Sequence, residues 1–143
     1  MSFSCPVKIT LKTKVIQDQI NESYEFIVFG RYYEKENASY LIYDEILENG
    51  TIHTTVKIKD DQVLIIRKGA INMRQTFKKD HLMSGTFETG LGTFILTTNT
   101  RRLDFNWDEV QKKGILNINY QLIMEQVDVG TYHLSFTFKE EKE

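Results

Sequence analysis

Cysteine and proline are almost absent from this chain, which has one of each among its 143 residues. A single thiol, Cys5, excludes an internal disulfide bond and suits the reducing cytoplasm. We expect Cys5 to be an ordinary thiol at the surface or at the edge of a sheet. Pro6 stands at the start of the first predicted strand, where its missing N–H does least harm to strand pairing.

Long hydrophobic runs are also missing. No segment approaches the roughly 20 apolar residues that a membrane-spanning helix requires. The first residues, MSFSCPVKITLKTKV, alternate lysine with apolar residues and lack the apolar core of a signal peptide. Hydrophobic residues make up 41% of the chain and charged residues 27%, which is typical of a globular protein. We therefore predict a single domain over residues 1–143, located in the cytoplasm and without membrane contact.

An excess of either charge is lacking as well, since 18 basic and 20 acidic side chains leave a net charge of −2 at pH 7. Such a balance does not favour nucleic acid as a partner. The segment 21–37 carries aromatic residues that could stack on bases. Arg31 alone interleaves them, however, and acidic residues surround them, so burial in a core or an oligomer interface is favoured. The surrounding acidic residues are Glu22, Glu25, Glu34 and Glu36.

Motifs for metal binding and for catalysis are not found. His53, His81 and His133 are scattered along the chain without the spacing of metal ligands, and no Gly-x-Ser-x-Gly sequence marks a nucleophile. We therefore expect no metal, no cofactor and no catalytic residue, and we predict that the protein is not an enzyme.

One glycine pair raises the question of a phosphate-binding loop, in the segment GTFETGLGTF at residues 85–94. A phosphate loop needs the N-terminus of a helix behind it, and the residues that follow Gly92 are typical of a strand. Gly90 and Gly92 are therefore predicted to form the tip of a hairpin that requires positive φ.

Alternation of apolar and polar residues is the dominant signal, and it is clearest in residues 7–15, 51–59, 116–124 and 132–138. About ten such segments follow one another, separated by turn sequences. One short helical turn is predicted at residues 106–114. Many short-linked antiparallel strands cannot remain a flat sheet, because their twist accumulates and their edges would be exposed. The prediction is an all-β, up-and-down antiparallel barrel of eight to ten strands.

Turn geometry predicts which residues face each other inside this barrel. A two-residue turn at Asn49–Gly50 pairs Glu45 with Thr54, and the turn at Asp60–Asp61 pairs Thr54 with Arg67. Both place the charged pair on the inner face beside Thr54. A three-residue loop over residues 68–70 adds further inner residues. The other residues expected on this face are Tyr43, Val56, Ile65, Ile71, Met73, Gln75 and Phe77.

Two interpretations of Glu45 and Arg67 remain open. They form a structural ion pair with Thr54 completing the hydrogen bonds, or they form the polar floor of a ligand cavity. In the second case Arg67 anchors an anionic or carbonyl group and Glu45 holds it in position. The candidate ligand-binding residues are Arg67, Glu45, Thr54, Tyr43, Met73 and Tyr120.

Several short elements of the chain resemble one known family. They are Tyr43 with Glu45, Arg67 with Gly69, Met73 with Phe77, residues 89–98, and Tyr120 with Leu122. Together they resemble the YwiB-like family of small bacterial proteins over about residues 5–138. The resemblance implies a calycin-type barrel, similar in shape to lipocalins, in the cytoplasm of Gram-positive bacteria, and it implies no activity. Unlike true lipocalins, the chain has no Gly-x-Trp near its first strand, and its single tryptophan, Trp107, lies in the last third of the sequence.

Two functions are therefore predicted as alternatives. The first is a non-catalytic barrel that binds a small apolar or amphipathic molecule in its interior, above Glu45 and Arg67. The second is a protein interaction module, such as a homodimer, with a filled core and an outer aromatic surface. Phe29, Tyr33 and Trp107 are the residues expected on that surface.

Overall fold

The computed structural model describes residues 3–142, and ten antiparallel strands account for most of them. The strands are β1 (Phe3–Gln17), β2 (Ile20–Lys35), β3 (Ala38–Leu47), β4 (Gly50–Lys59), β5 (Gln62–Gly69), β6 (Asn72–Lys78), β7 (Leu82–Thr89), β8 (Gly92–Asp108), β9 (Lys113–Met124) and β10 (Val127–Glu140). Each strand pairs with its neighbours in sequence, and β1 pairs with β10 to close a barrel. The predicted up-and-down barrel is confirmed.

No helix is found between residues 3 and 142, and hence none there that could cross a membrane. The helical turn predicted at residues 106–114 is wrong. Strand β8 runs to Asp108, residues 109–112 form a turn, and β9 begins at Lys113. The Asp108 carboxylate accepts hydrogen bonds from the backbone N–H groups of Val110 and Gln111, both at 3.0 Å, as it would at the start of a helix. Pairing of Asp108 with Lys113 nevertheless continues the sheet across the turn.

Cys5 is buried, with 3% of its surface exposed, so the prediction of a surface or edge thiol is wrong. Closure of the barrel places β2 and β10 on either side of β1, and β1 therefore has no free edge. The alternation of β1 directs Cys5 inward together with Val7 and Ile9. Burial raises the pKa of the Cys5 thiol, which keeps the group neutral inside the core.

The glycine pair lies at a hairpin, as predicted. Residues 90 and 91 connect β7 to β8, and Thr89 pairs with Gly92. Gly92 takes a φ of +135°, whereas the φ of Gly90 is not positive. Because a strand follows the turn, this segment has no helix N-terminus that could bind a phosphate.

The strand registers agree with the predictions in part. Thr54 pairs with Arg67 between β4 and β5, as expected. Between β3 and β4, however, Glu45 pairs with Ile52 and Tyr43 with Thr54, a shift of two residues from the prediction. The turn consists of residues 48 and 49, so that Leu47 pairs with Gly50. The loop between β5 and β6 is also longer than predicted, since Arg67 pairs with Met73. A shift of two residues leaves the paired strand residues on their predicted faces, whereas Ile71, predicted on the inner face, lies in the turn between β5 and β6.

The two ends of the barrel differ in their packing. We call the end that carries the turns at 18–19, 48–49, 70–71, 90–91 and 125–126 the mouth, and the opposite end the base. Aromatic rings fill the base, where Tyr32 stacks on Trp107 with 4.2 Å between ring centroids and Phe138 lies against both. The expectation that Trp107 belongs to an outer surface is therefore wrong. A β-bulge between Thr100 and Arg102 reverses the alternation of β8 and turns Trp107 inward.

The wall of the barrel is incomplete on one side near the mouth. Strand β2 pairs with β1 along nearly its whole length, but it pairs with β3 only over residues 30–35. Within the described chain, Ile20–Phe29 has no strand partner on its β3 side. We call the gap between this segment and Asp44–Leu47 the side opening. Pairing begins at Gly30, where a side chain would not fit, since a Cβ atom would lie 2.1 Å from the carbonyl oxygen of Ile42.

Candidate functional site

The half of the interior that faces the mouth is hollow. It contains a cavity of about 350 Å³, and every strand except β4 contributes to its lining. A larger hollow of about 570 Å³ lies on the outer wall, beside Lys8, Lys113 and Lys139. That outer groove is bounded largely by exposed side chains, whereas the inner cavity is surrounded by the barrel wall. A small molecule would be buried to a much greater extent in the inner cavity, which is therefore the candidate site.

Five of the six predicted ligand-binding residues line this cavity, namely Tyr43, Glu45, Arg67, Met73 and Tyr120. The sixth, Thr54, does not, and its prediction as a lining residue is wrong. Thr54 pairs with Tyr43 on one side and with Arg67 on the other, so its short side chain lies between two longer ones. Among the described residues its buried hydroxyl has no hydrogen-bond partner.

Glu45 and Arg67 form the ion pair that the inward-facing registers predicted. The Nη2 atom of Arg67 donates a hydrogen bond to Oε1 of Glu45 at 3.0 Å. The contact is diagonal, since Glu45 pairs with Ile52 and Arg67 with the neighbouring inner residue Thr54. Exposed fractions of 25% for the Arg67 side chain and 21% for the Glu45 side chain show that the pair is only partly buried, and both residues line the cavity. Thr54 takes no part in it, contrary to the expectation.

Three tyrosines add neutral polar groups to the cavity wall. Burial raises the pKa of Tyr43 to about 12, and the Glu45 carboxylate adds to this rise. Burial also raises the pKa of Tyr120 well above its ordinary value, with Tyr132 adding to the rise and the Gln75 carboxamide opposing it. The rings of Tyr120 and Tyr132 stack with their centroids 5.3 Å apart. All three phenols are therefore protonated at neutral pH.

The remaining lining is apolar, and much of it was not among the predicted site residues. Phe26 on β2, Phe87 on β7, and Leu134 and Phe136 on β10 all face the cavity. The alternation of apolar and polar residues along each strand marks these residues as facing inward, so the sequence contained the information needed to predict them. The sequence carried no sign of which half of the interior would be filled and which half would be hollow.

The turns around the mouth are acidic. Asp18, Glu48 and Glu125 lie in three of its five turns, and all three are exposed. Glu88 near the end of β7 and Asp128 near the start of β10 are exposed as well, and Lys68 near the end of β5 is an exposed cation at the same end of the barrel. A ligand that entered through the mouth would therefore pass several exposed carboxylates, which disfavour an anion.

Comparison with known proteins finds one family model over residues 9–136, described as Domain of unknown function (DUF1934). The chain is 28% identical over 139 residues to the Uncharacterized beta-barrel protein YwiB of Bacillus subtilis (strain 168), covering 97% of this chain and 96% of that protein. It also matches the crystal structure of the ywiB protein from Bacillus subtilis, with a TM-score of 0.86 and coverage of 97% of this chain and 94% of that one. The resemblance expected from the sequence is confirmed.

Proposed function

The chain belongs to the family described as Domain of unknown function (DUF1934), and on this premise we propose from its own geometry that it is a non-catalytic binder of a small apolar or amphipathic molecule. The ligand would occupy the mouth half of the barrel interior. The observation that carries the proposal is the cavity of about 350 Å³ beside the Glu45–Arg67 pair.

The lining of the cavity supports this proposal. Binding sites for small molecules have volumes of roughly 300–1,000 Å³ and mostly apolar walls with a few polar groups that orient the ligand. Here the apolar wall is supplied by residues such as Leu122 and Phe136, and the polar groups by the ion pair and the tyrosines. The segment of β2 that contains Phe26 and the segment of β3 that contains Glu45 flank the side opening, and both residues line the cavity.

Filling the cavity with a larger side chain should abolish binding. We expect Thr13→Trp to lower the affinity for the neutral fluorescent probe N-phenyl-1-naphthylamine by at least about tenfold, because the indole would occupy the space of the probe. Thr10→Trp is the matched control, since Thr10 lies on the same strand and faces the outer wall. Fluorescence titration measures both. Equal affinity in the two variants would show that the probe does not bind in the barrel interior.

Replacing either member of the ion pair should have a small effect on stability. The cavity admits water, which solvates the charge that is left, so we expect Glu45→Gln and Arg67→Met each to lower the free energy of unfolding by about 1 kcal/mol. Urea melts of both single variants and of the double variant measure this. If each single variant instead lost about 3–5 kcal/mol of unfolding free energy, and the double variant regained much of that loss, the pair would be a buried structural one.

A homodimer is the second candidate, because the outer wall exposes apolar residues. Ile27 is 53% and Phe29 is 62% exposed on the outer face of β2, and Tyr33 stacks on Tyr40 next to them. Trp107 takes no part in this surface. Native mass spectrometry of the protein purified from its own host separates the two candidates. A co-purifying small molecule supports the binding proposal, and a dimer without any added mass supports the alternative.

A further inference from the structure

The Glu45–Arg67 pair leaves most of its hydrogen-bonding capacity unused. A guanidinium carries five N–H donors and a carboxylate has two acceptor oxygens, and the structure records one hydrogen bond between them, from Nη2 to Oε1. Both side chains line the cavity and remain partly exposed to it. The pair therefore presents further donors and a free acceptor next to each other on the cavity wall.

The charges around this position are balanced. Glu45 and Arg67 cancel each other, and the other polar groups of the lining, among them Tyr43, Gln75 and Tyr120, are neutral at neutral pH. A carboxylate that bound Arg67 would lie beside the Glu45 carboxylate, and an ammonium group that bound Glu45 would lie beside the Arg67 guanidinium. Either ionic head group would thus gain one attraction and suffer one repulsion.

The mouth adds a further bias against anions, because its turns carry Asp18, Glu48 and Glu125. An uncharged head group is indifferent to this potential. If it contains both a carbonyl oxygen and an N–H group, it can accept a hydrogen bond from Arg67 and donate one to Glu45. No charge is then added to the cavity, and both members of the pair gain a partner.

We infer that the ligand is an uncharged amphiphile whose polar end carries both an acceptor and a donor, as a primary carboxamide does, and that this end binds the Glu45–Arg67 pair. The inference rests on the proposed function. The apolar tail would lie among the aliphatic and aromatic residues deeper in the cavity, and a volume of about 350 Å³ suits a short tail.

A series of compounds with the same tail and different head groups tests this inference. Octanamide, octanoate, octylamine and methyl octanoate are each used to displace N-phenyl-1-naphthylamine from the native protein at neutral pH. We expect octanamide to displace the probe at about tenfold lower concentration than octanoate or octylamine. Methyl octanoate, which has an acceptor and no donor, should fall between octanamide and the two ions.

Changing the charge of the pair should change the preference. Glu45→Gln leaves Arg67 without its counter-ion, so the affinity for octanoate should rise about tenfold relative to the affinity for octanamide. Arg67→Gln leaves Glu45 without its counter-ion, so the affinity for octylamine should rise in the same way. The control is Asp44→Asn, which removes a carboxylate from the adjacent residue on the outer face of β3, where Asp44 contacts His53. This variant should keep the native order of affinities.

The outcomes separate this inference from the proposed function. If octanoate or octylamine binds the native protein at least as well as octanamide, the inference is overturned while a binding cavity remains. If none of the four compounds displaces a probe that Thr13→Trp excludes, the inference is overturned as well. If the probe binds Thr13→Trp and Thr10→Trp alike, the proposed function itself fails.

Discussion

Phe77→Ala should lower the free energy of unfolding by about 3–5 kcal/mol, because it removes a fully buried ring from the middle of the barrel. Phe77 lies on β6, is 0% exposed, and packs edge-on against Tyr120 with 4.7 Å between ring centroids. Phe77 pairs with Val63 of β5, and the backbone hydrogen bonds of this pairing hold the two strands at a fixed spacing, so the wall cannot close fully over the space left by the ring. Urea melts of the variant and the native protein measure the loss.

Phe29→Ala is the matched control for this prediction. Phe29 is 62% exposed on the outer face of β2, and its truncation should change the free energy of unfolding by no more than about 0.5 kcal/mol. The Phe77 variant should also accept a longer apolar tail than the native protein, because the new space adjoins the cavity lined by Tyr120. A loss for Phe77→Ala as small as that for Phe29→Ala would contradict the packing described for the barrel interior.

The barrel should also unfold steeply in alkali, over a pH range set by its buried tyrosines. Burial holds the pKa of Tyr43 at about 12 and keeps that of Tyr120 well above 10.0, the ordinary value for tyrosine. Between about pH 10 and pH 12 these phenols are protonated in the folded protein and ionised in the unfolded chain. The unfolded state therefore binds fewer protons, and the free energy of unfolding falls as the pH rises.

The expected slope is about 1.4 kcal/mol per pH unit for each such phenol, and no contribution from these phenols is expected below about pH 10. Urea melts at a series of pH values, combined with the ultraviolet absorbance of the phenolate, measure the slope and its onset. Tyr43→Phe should make the slope shallower, because it removes one of the phenols whose pKa burial raises. A slope that did not change in Tyr43→Phe would show that Tyr43 ionises freely in the folded protein.

The candidate site shows how far strand periodicity carries a prediction. The pairs predicted between β3 and β4 were wrong by two residues, because the turn is formed by residues 48 and 49 and not by residues 49 and 50. Glu45 and Arg67 nevertheless lie inside the barrel and in contact, as predicted. Side chains alternate with a period of two, so an error of two residues preserves the face even though it changes the partner.

Trp107 and Thr54 show where this reasoning stops. Trp107 was expected on an outer surface, but the bulge between Thr100 and Arg102 adds one residue to β8, which reverses the face of the residues that follow and turns Trp107 inward. Thr54 faces inward as predicted, but its side chain is too short to reach past Tyr43 and Arg67 to the cavity. Side-chain orientation follows from local periodicity, whereas reach depends on neighbours from other strands.

The sequence by itself determined the strands, their antiparallel order and the face of the sheet on which nearly every apolar residue lies, because each of these follows from interactions between residues close in the chain. The barrel itself was predicted, but the tertiary structure decided how it closes: β10 pairs with β1 on the side opposite β2, so β1 has no free edge and Cys5 is buried. It also decided that aromatic rings fill the base while the mouth stays hollow beside Glu45 and Arg67. These outcomes depend on how side chains from distant strands share one enclosed volume, and alternation along a single strand carries no information about that volume.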